Sequence, residues 1–317
     1  MITLNANLFL GAWTNLIAYV QTAYTMDEGN ISPFVNSFED ISVPNGDGKV
    51  VRSADVPSVA NYSGTSSLLT PNPPTVQEQY ISVENYKVVP MTINKYLMRG
   101  AFVAEDQLAE FTAYLLASMR TAKTIHLSNA ILAELVGYTP TQATQTVTIN
   151  LFDTTGLLDP AQLERANTYN AKAIQKAFIN VLNDFGFDTS AYNDLALTEI
   201  IDASKLKLII KNSTNTDILV DSLAQLLNSN KITDAQKWGK QFAVPDAKLS
   251  GASYDAWLMH DKKIQFGYFY EVATSFFDGS TLNQQDWLHF AYYLDTVDAY
   301  PCVCFVLSAS LTPTALQ

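Results

Sequence analysis

Residues 83–132 read VENYKVVPMTINKYLMRGAFVAEDQLAEFTAYLLASMRTAKTIHLSNAIL. In the first part Tyr86, Val88, Thr92, Asn94 and Tyr96 alternate with Lys87, Val89, Met91, Ile93 and Lys95. That two-residue period is a β-strand, with a proline at position 90. The period then changes: Leu108, Phe111, Leu115, Met119 and Ala122 recur at steps of three or four, which predicts a helix. Glu105, Asp106 and Glu110 favour its N-terminal end and Gly137 stops it, giving roughly 33 residues over 104–136, or about 50 Å of rod. Ordinary globular helices run to about 20 residues, so a long ribbon feeding a long rod restricts the fold more than any other feature.

Working back from this stretch, residues 27–55 carry Pro, Gly and Asn at short intervals, which breaks any periodicity and predicts an extended arm or loop. The next segment, YSGTSSLLTPNPPTVQEQ, is rich in Ser, Thr and Pro. From residue 50 to about 97 there are strand signals and a polar turn but no helix to cover the apolar faces. Such a ribbon lacks its own core, and a long open edge pairs with other chains. Either another part of the chain or a neighbouring subunit covers it.

Forward of the rod, TQTVTINLF reads as a strand, and DPAQLERANTYNAKAIQKAFINVLNDFG as a helix opened by Asp159-Pro160 and closed by Gly186. KLKLIIKN is a buried strand, and NTDILVDSLAQLLNSN an amphipathic helix capped by Asn215 or Thr216. Strands return at DAWLMHDKK, IQFGYFYEVATSFF and YPCVCFVLS. The class is α+β, its second half a mixed layer of local units.

Composition limits the partners. Of 317 residues 48% are hydrophobic and 16% charged, and the net charge is −12, a globular and acidic chain. No Lys or Arg follows Lys263 or lies between Arg52 and Lys87, so these regions cannot neutralise phosphates and do not grip nucleic acid. The run LFLGAWTNLIAYVQTAY has no cation before it and is interrupted by Thr14, Asn15 and Gln21. It reads as an amphipathic arm packing on protein, not a signal or a membrane span. Two cysteines, Cys302 and Cys304, exclude a disulfide framework and suit a reducing compartment.

Chemistry finds little to stand on. The His260-Asp261 doublet sits in a strand, where neighbouring side chains point to opposite faces, so a structural role is expected. His126 and His289 lie in other elements, and no His, Cys, Asp or Glu cluster has ligand spacing. There is no serine elbow and no phosphate-binding glycine loop. Glu39-Asp40 falls in the arm, and Glu105-Asp106 opens a helix. No catalytic residue, metal or cofactor is expected. From a different class, a cytosolic α/β hydrolase-like enzyme using His260 or His289 is the alternative.

The order of arm, ribbon, rod and α/β half resembles the major capsid proteins of tailed bacteriophages, the fold named after phage Hong Kong 97. The likeness is carried by residues 83–132 and by Asp255 to Leu307, with KLKLIIKN and its following helix similar to part of the axial domain. It implies an N-terminal arm over 1–49, an extended β-ribbon loop over 50–100, and a peripheral domain with the spine helix over 101–159. An axial domain over 160–254 follows, then returning strands shared by both domains over 255–317. It further implies a structural shell subunit, assembled as hexamers and pentamers in the host cytoplasm, that encloses double-stranded DNA without sequence-specific binding. A separate scaffolding protein and a portal are the expected partners, and no membrane is. An encapsulin-like bacterial compartment shell shares the fold. Tyr80, Tyr86, Lys87, Lys95 and Arg99 are the candidate intersubunit contacts, the cations as salt-bridge partners in an acidic protein. Residues 53–86 contain no lysine, so subunits are expected to join non-covalently.

Overall fold

The computed structural model describes residues 32–40, 48–57, 59, 73–94, 105–155, 159–214 and 240–311, with 105–116 described as helix backbone only. Its named helices are α1 (Pro33–Asn36), α2 (Glu105–Gly137) and α3 (Pro160–Phe185). The strands are β1 (Gly48–Ala54), β2 (Val76–Ser82), β3 (Asn85–Asn94), β4 (Thr146–Phe152), β5 (Leu206–Lys211), β6 (Lys240–Val244), β7 (Ala256–His260), β8 (Ile264–Asp278), β9 (Asn283–Thr296) and β10 (Cys302–Leu311). The described residues fall into two units. One is drawn from residues up to Lys49, Ile81–Ile131 and Gln265–Asp295; the other from Val50–Tyr80, Leu132–Ile264 and residues from Thr296 on.

The first unit holds the three-stranded sheet β3-β9-β8. Its helix α2 has the length expected, but its buried stripe runs through Met119, Arg120, Lys123, Leu127 and Ile131, while Ala122 is exposed. Lys123 on the buried side is tolerated because it finds tertiary partners: its Nζ lies 2.9 Å from Glu271 Oε2 and 4.3 Å from the centroid of the Tyr268 ring. β3 pairs antiparallel with β9, Tyr86 opposite Ala291 and Ile93 opposite Gln284. The ribbon of the sequence reading is therefore split, since β1 and β2 form a separate two-stranded sheet.

The second unit is built on the sheet β4-β10-β7-β5-β6, in which β4–β10 and β5–β6 are parallel and β10–β7 and β7–β5 antiparallel. Asp159 caps α3 by accepting the Ala161 N–H at 3.0 Å, with Pro160 at the first helical position. The apolar stripe Ile174, Phe178, Val181, Leu182 and Phe185 then packs on Ile149, Leu208, Leu258, Val303 and Phe305. β5 and β7 are buried on both faces, which explains why they read as continuous apolar runs. Cys302 and Cys304 are free and fully buried beside Met259 and Trp257. The helix expected at Asn215 to Asn230 and the arm before residue 32 lie outside the described residues.

Candidate assembly surfaces

The β1–β2 hairpin has two unlike sides. Asp55 Oδ1 accepts the Thr198 N–H at 3.1 Å, and the Gln79 amide donates to Thr296 O at 2.7 Å and accepts from Asp298 N at 2.9 Å. One side is thus tied to loops of its own unit. The other side presents Val50, Val76 and Tyr80, the last 61% exposed, around an Arg52–Glu78 pair at 2.8 Å. That pair is itself open to solvent and contributes little stability; its effect is to leave the side without net charge.

In the three-stranded sheet the two faces can be told apart by contacts. His126 of α2 meets the rings of Phe290 and Tyr292, and Lys123 meets Glu271. Even-numbered β9 residues and Glu271 of β8 therefore face the helix. By register, Val89 opposite Leu288 joins them, and Tyr86 and Val88 fall on the other, open face. Among the expected contacts, then, Tyr80 is on the hairpin, Tyr86 on the open face, and Lys87 exposed on the helix side with no ion pair among the described residues. Lys95 and Arg99 lie outside the described residues. Val272 and Phe276, also exposed, escape the sequence reading. The run Tyr270, Val272, Thr274, Phe276 is the signal for them, but aromatic residues on both sides of β8 hide which face is open.

The histidines are not drawn together. His126 Nε2 is 2.9 Å from Tyr292 Oη, and burial, then Lys87, holds its pKa below the usual value. His289 lies on β9 opposite Val88. For His260 and Asp261 the sequence expectation of opposite faces is corrected: β7 ends at His260, Asp261 is in the turn, and its Oδ1 comes 2.9 Å from His260 Nδ1. The same Nδ1 accepts the Lys262 N–H at 3.1 Å, and burial pushes the imidazole down to about 4. The ring is neutral, stacks on Tyr300 at 4.6 Å, and the approach to Asp261 is no ion pair. Among the described residues no three His, Cys, Asp or Glu side chains gather to hold a metal.

The densest polar cluster is structural. Asp194 lies 2.5 Å from Lys263 Nζ and accepts from Tyr138 Oη at 3.2 Å, Thr141 N at 3.3 Å and Gln145 Nε2 at 3.0 Å. Burial alone raises the Asp194 pKa, and Lys263 with these hydrogen bonds overcomes it and holds the carboxyl below its ordinary value. Lys207, 1% exposed, shows the opposite economy: its Nζ donates to the Asp261 carbonyl at 2.8 Å, yet burial pushes it down to about 7 against the attraction of Asp261. Between pH 7 and about 10 the folded chain has lost a proton that the unfolded chain keeps, so stability rises with pH through that window. Lys207→Met should be more stable than the parent at pH 7 and lose most of that rise, as read by urea unfolding at pH 7 and pH 9.

Exposed apolar side chains of this α+β chain cluster on the hairpin (Val50, Val76, Tyr80) and the open sheet face (Tyr86, Val88, Val272, Phe276), with others such as Ile125, Phe187 and Ile200 elsewhere. The model of the Phi29-like phage major capsid protein family matches residues 35–306, and the chain belongs to that family. It is a structural subunit of a tailed-phage capsid. No curated protein matches the sequence. Solved structures share the fold: a chain of the capsid of Staphylococcus phage Andhra is 10% identical, with TM-score 0.62, covering 88% of this chain and 84% of that one. A chain of the capsid of cyanophage P-SCSP1u is 8% identical, with TM-score 0.56 and 87% and 88% covered. A chain from the structure of the head fiber and inner core protein gp22 of native bacteriophage P68 is 12% identical, with TM-score 0.57 and 84% and 82% covered. Nothing in these matches supports the compartment-shell or hydrolase readings.

Proposed function

We propose that this subunit closes its shell in the manner of the Hong Kong 97 fold: arm 1–49, extended loop 50–100, peripheral domain 101–159 with α2 as spine helix, axial domain 160–254, and strands of 255–317 shared between the two. The observation that carries this is the hairpin with one side tied down and the other open and apolar. A hairpin of this length is marginal alone, and a neighbour's surface completes it by strand pairing and side-chain anchors. The copies join as hexamers and pentamers without catalysis, with Tyr80 and Tyr86 as apolar anchors and Lys87, Lys95 and Arg99 pairing with carboxylates of the neighbour.

The contents follow from charge. A chain at −12 with no cation after Lys263 presents little that releases phosphate counterions, so double-stranded DNA is enclosed without being gripped. Assembly in the host cytoplasm uses a separate scaffolding protein and a portal. Lys87→Glu, at an exposed position, should leave thermal unfolding of the subunit within about 1 °C, because such substitutions change stability by less than about 0.5 kcal/mol, and combined with Lys95→Glu it should remove megadalton particles from sedimentation profiles. Normal particles from this double variant would remove the salt-bridge role.

A further inference from the structure

We infer that Cys302, Cys304 and Met259 form a three-sulfur site for a soft monovalent metal ion of the Cu(I) type, inside the second unit on the side of its sheet turned away from α3. The inference is independent of the shell reading and gives the chain a site of a different kind.

Strand geometry puts the sulfurs together. Neighbouring residues of a strand face opposite sides, and Val303 and Phe305 of β10 with Ala256 and Leu258 of β7 pack in the cluster that α3 covers. Cys302, Cys304, Trp257 and Met259 therefore share the other side, Cys302 opposite Met259 and Cys304 opposite Trp257. The His260 N–H donates to Pro301 O, while the Cys302 N–H turns away to Tyr192 O. Cys302 and Met259 are thus a non-hydrogen-bonded pair, the kind that brings facing Cα atoms to about 4.5 Å and their side chains closest. The two thiols are hydrogen-bonded to each other, and that contact, then burial, holds the Cys304 proton well above its ordinary pKa. All three side chains are fully buried. Two cysteines at this spacing predict little by themselves; the register supplies the third donor.

Donor chemistry selects the ion. Thiolate and thioether are soft ligands that favour Cu(I). Zinc takes four N, S or O ligands, and among the described residues no His, Asp or Glu joins the two cysteines in a metal-holding group. Binding breaks both S–H bonds, sends the two protons to solvent and forms two S–metal bonds with no change of oxidation state, so the site gains one negative charge. Lys263, itself 1% exposed, acts on Cys304 as a cation and offsets that charge, with Asp194 opposing it. A second feature points the same way: Trp257 is fully buried, and its indole N–H has no hydrogen-bond partner among the described residues. Opposite Cys304, it is a donor for a metal-bound thiolate, a stronger acceptor than a neutral thiol.

The test refolds the full chain without oxygen in the presence of equimolar Cu(I), or of Ag(I) as a probe that keeps its oxidation state. The expected result is a metal ion retained by each chain and an unfolding midpoint raised by at least about 5 °C. Apparent affinity should rise about 100-fold per pH unit, because two protons leave. Cys302→Ala with Cys304→Ala should lose both the ion and the shift. Met259→Leu, which keeps the volume, should bind about tenfold more weakly, having lost one soft donor of three. Equal retention by the parent and the double cysteine variant overturns the inference. So does a parent midpoint that stays or falls, because the ion then prefers the cysteines of the unfolded chain. Should the double variant not fold, the parent midpoint and the Met259→Leu affinity decide. Zn(II) raising the midpoint as far as Cu(I) would overturn the soft-donor assignment. None of these readouts involves particle formation, so their failure leaves the shell reading standing.

Discussion

Asp194→Ala should destabilise the free subunit by about 3–5 kcal/mol, the cost of leaving one partner of a buried ion pair behind. Lys263 is 1% exposed and Asp194 is its acceptor at 2.5 Å, so the substitution strands an ammonium away from water. It also removes the acceptor of Tyr138, Thr141 and Gln145, each of which then adds desolvation that nothing offsets. These residues come from the end of α2, the segment after it and the β7–β8 turn, so the loss is felt across the unit's polar centre. Urea unfolding of purified subunit measures it. Asp194→Leu with Lys263→Met should recover most of the stability, because an apolar pair of similar volume replaces a buried ion pair at little cost. Equal destabilisation in the single and double variants would show that the hydrogen bonds, not the charge pair, carry the cluster. The pH sign agrees: a carboxyl held below its ordinary value contributes stability above about pH 4 and loses it as the pH falls through the folded-state value.

Gly267→Ala should lower stability by about 1–3 kcal/mol although it adds a single methyl group. A Cβ at this position would stand 2.5–2.6 Å from the ring and hydroxyl of Tyr293. The ring has no room to retreat: Tyr293 is 1% exposed, and its hydroxyl donates to Asp40, which is also bound by Lys49. Burial first, then Asp40, keeps that hydroxyl well above the ordinary tyrosine pKa. Calorimetry of the subunit reads the loss, and Gly267→Ala with Tyr293→Leu should regain part of it by clearing the overlap. An alanine that leaves the melting midpoint unchanged would mean that the ring shifts freely.

The two long helices were legible because their signals are local. Acidic residues open α2, and Asp159-Pro160 with Gly186 bound α3 to within a residue. β5, β7, β8 and β10 were legible as apolar or alternating runs. β9 was not, because its buried side begins with Gln284 and Asp286, joined by a hydrogen bond of 3.1 Å. A polar residue on the core side looks like a solvent-facing one until its partner is known. The same reason hides Lys123 on the buried stripe of α2. The strand of residues 85–94 was plain from its period, but its partner, some 200 residues on, was not. The Asp194 cluster left no trace, since Tyr138, Gln145 and Lys263 share no spacing that a scan would find. Of the exposed apolar side chains, Tyr80 and Tyr86 could be singled out as candidates. The open face of β8 needed the helix to show which side was taken.

The order of strands in the larger sheet sets a clock on biosynthesis. β10 (Cys302–Leu311) lies between β4, some 150 residues earlier, and β7, and Asp255 binds both Phe305 O and Leu307 N across it. A nascent chain translated only as far as residue 300 therefore has a gap in the middle of its main sheet, and local helices must wait for it. The main sheet of a growing chain is therefore complete only after translation has passed this strand.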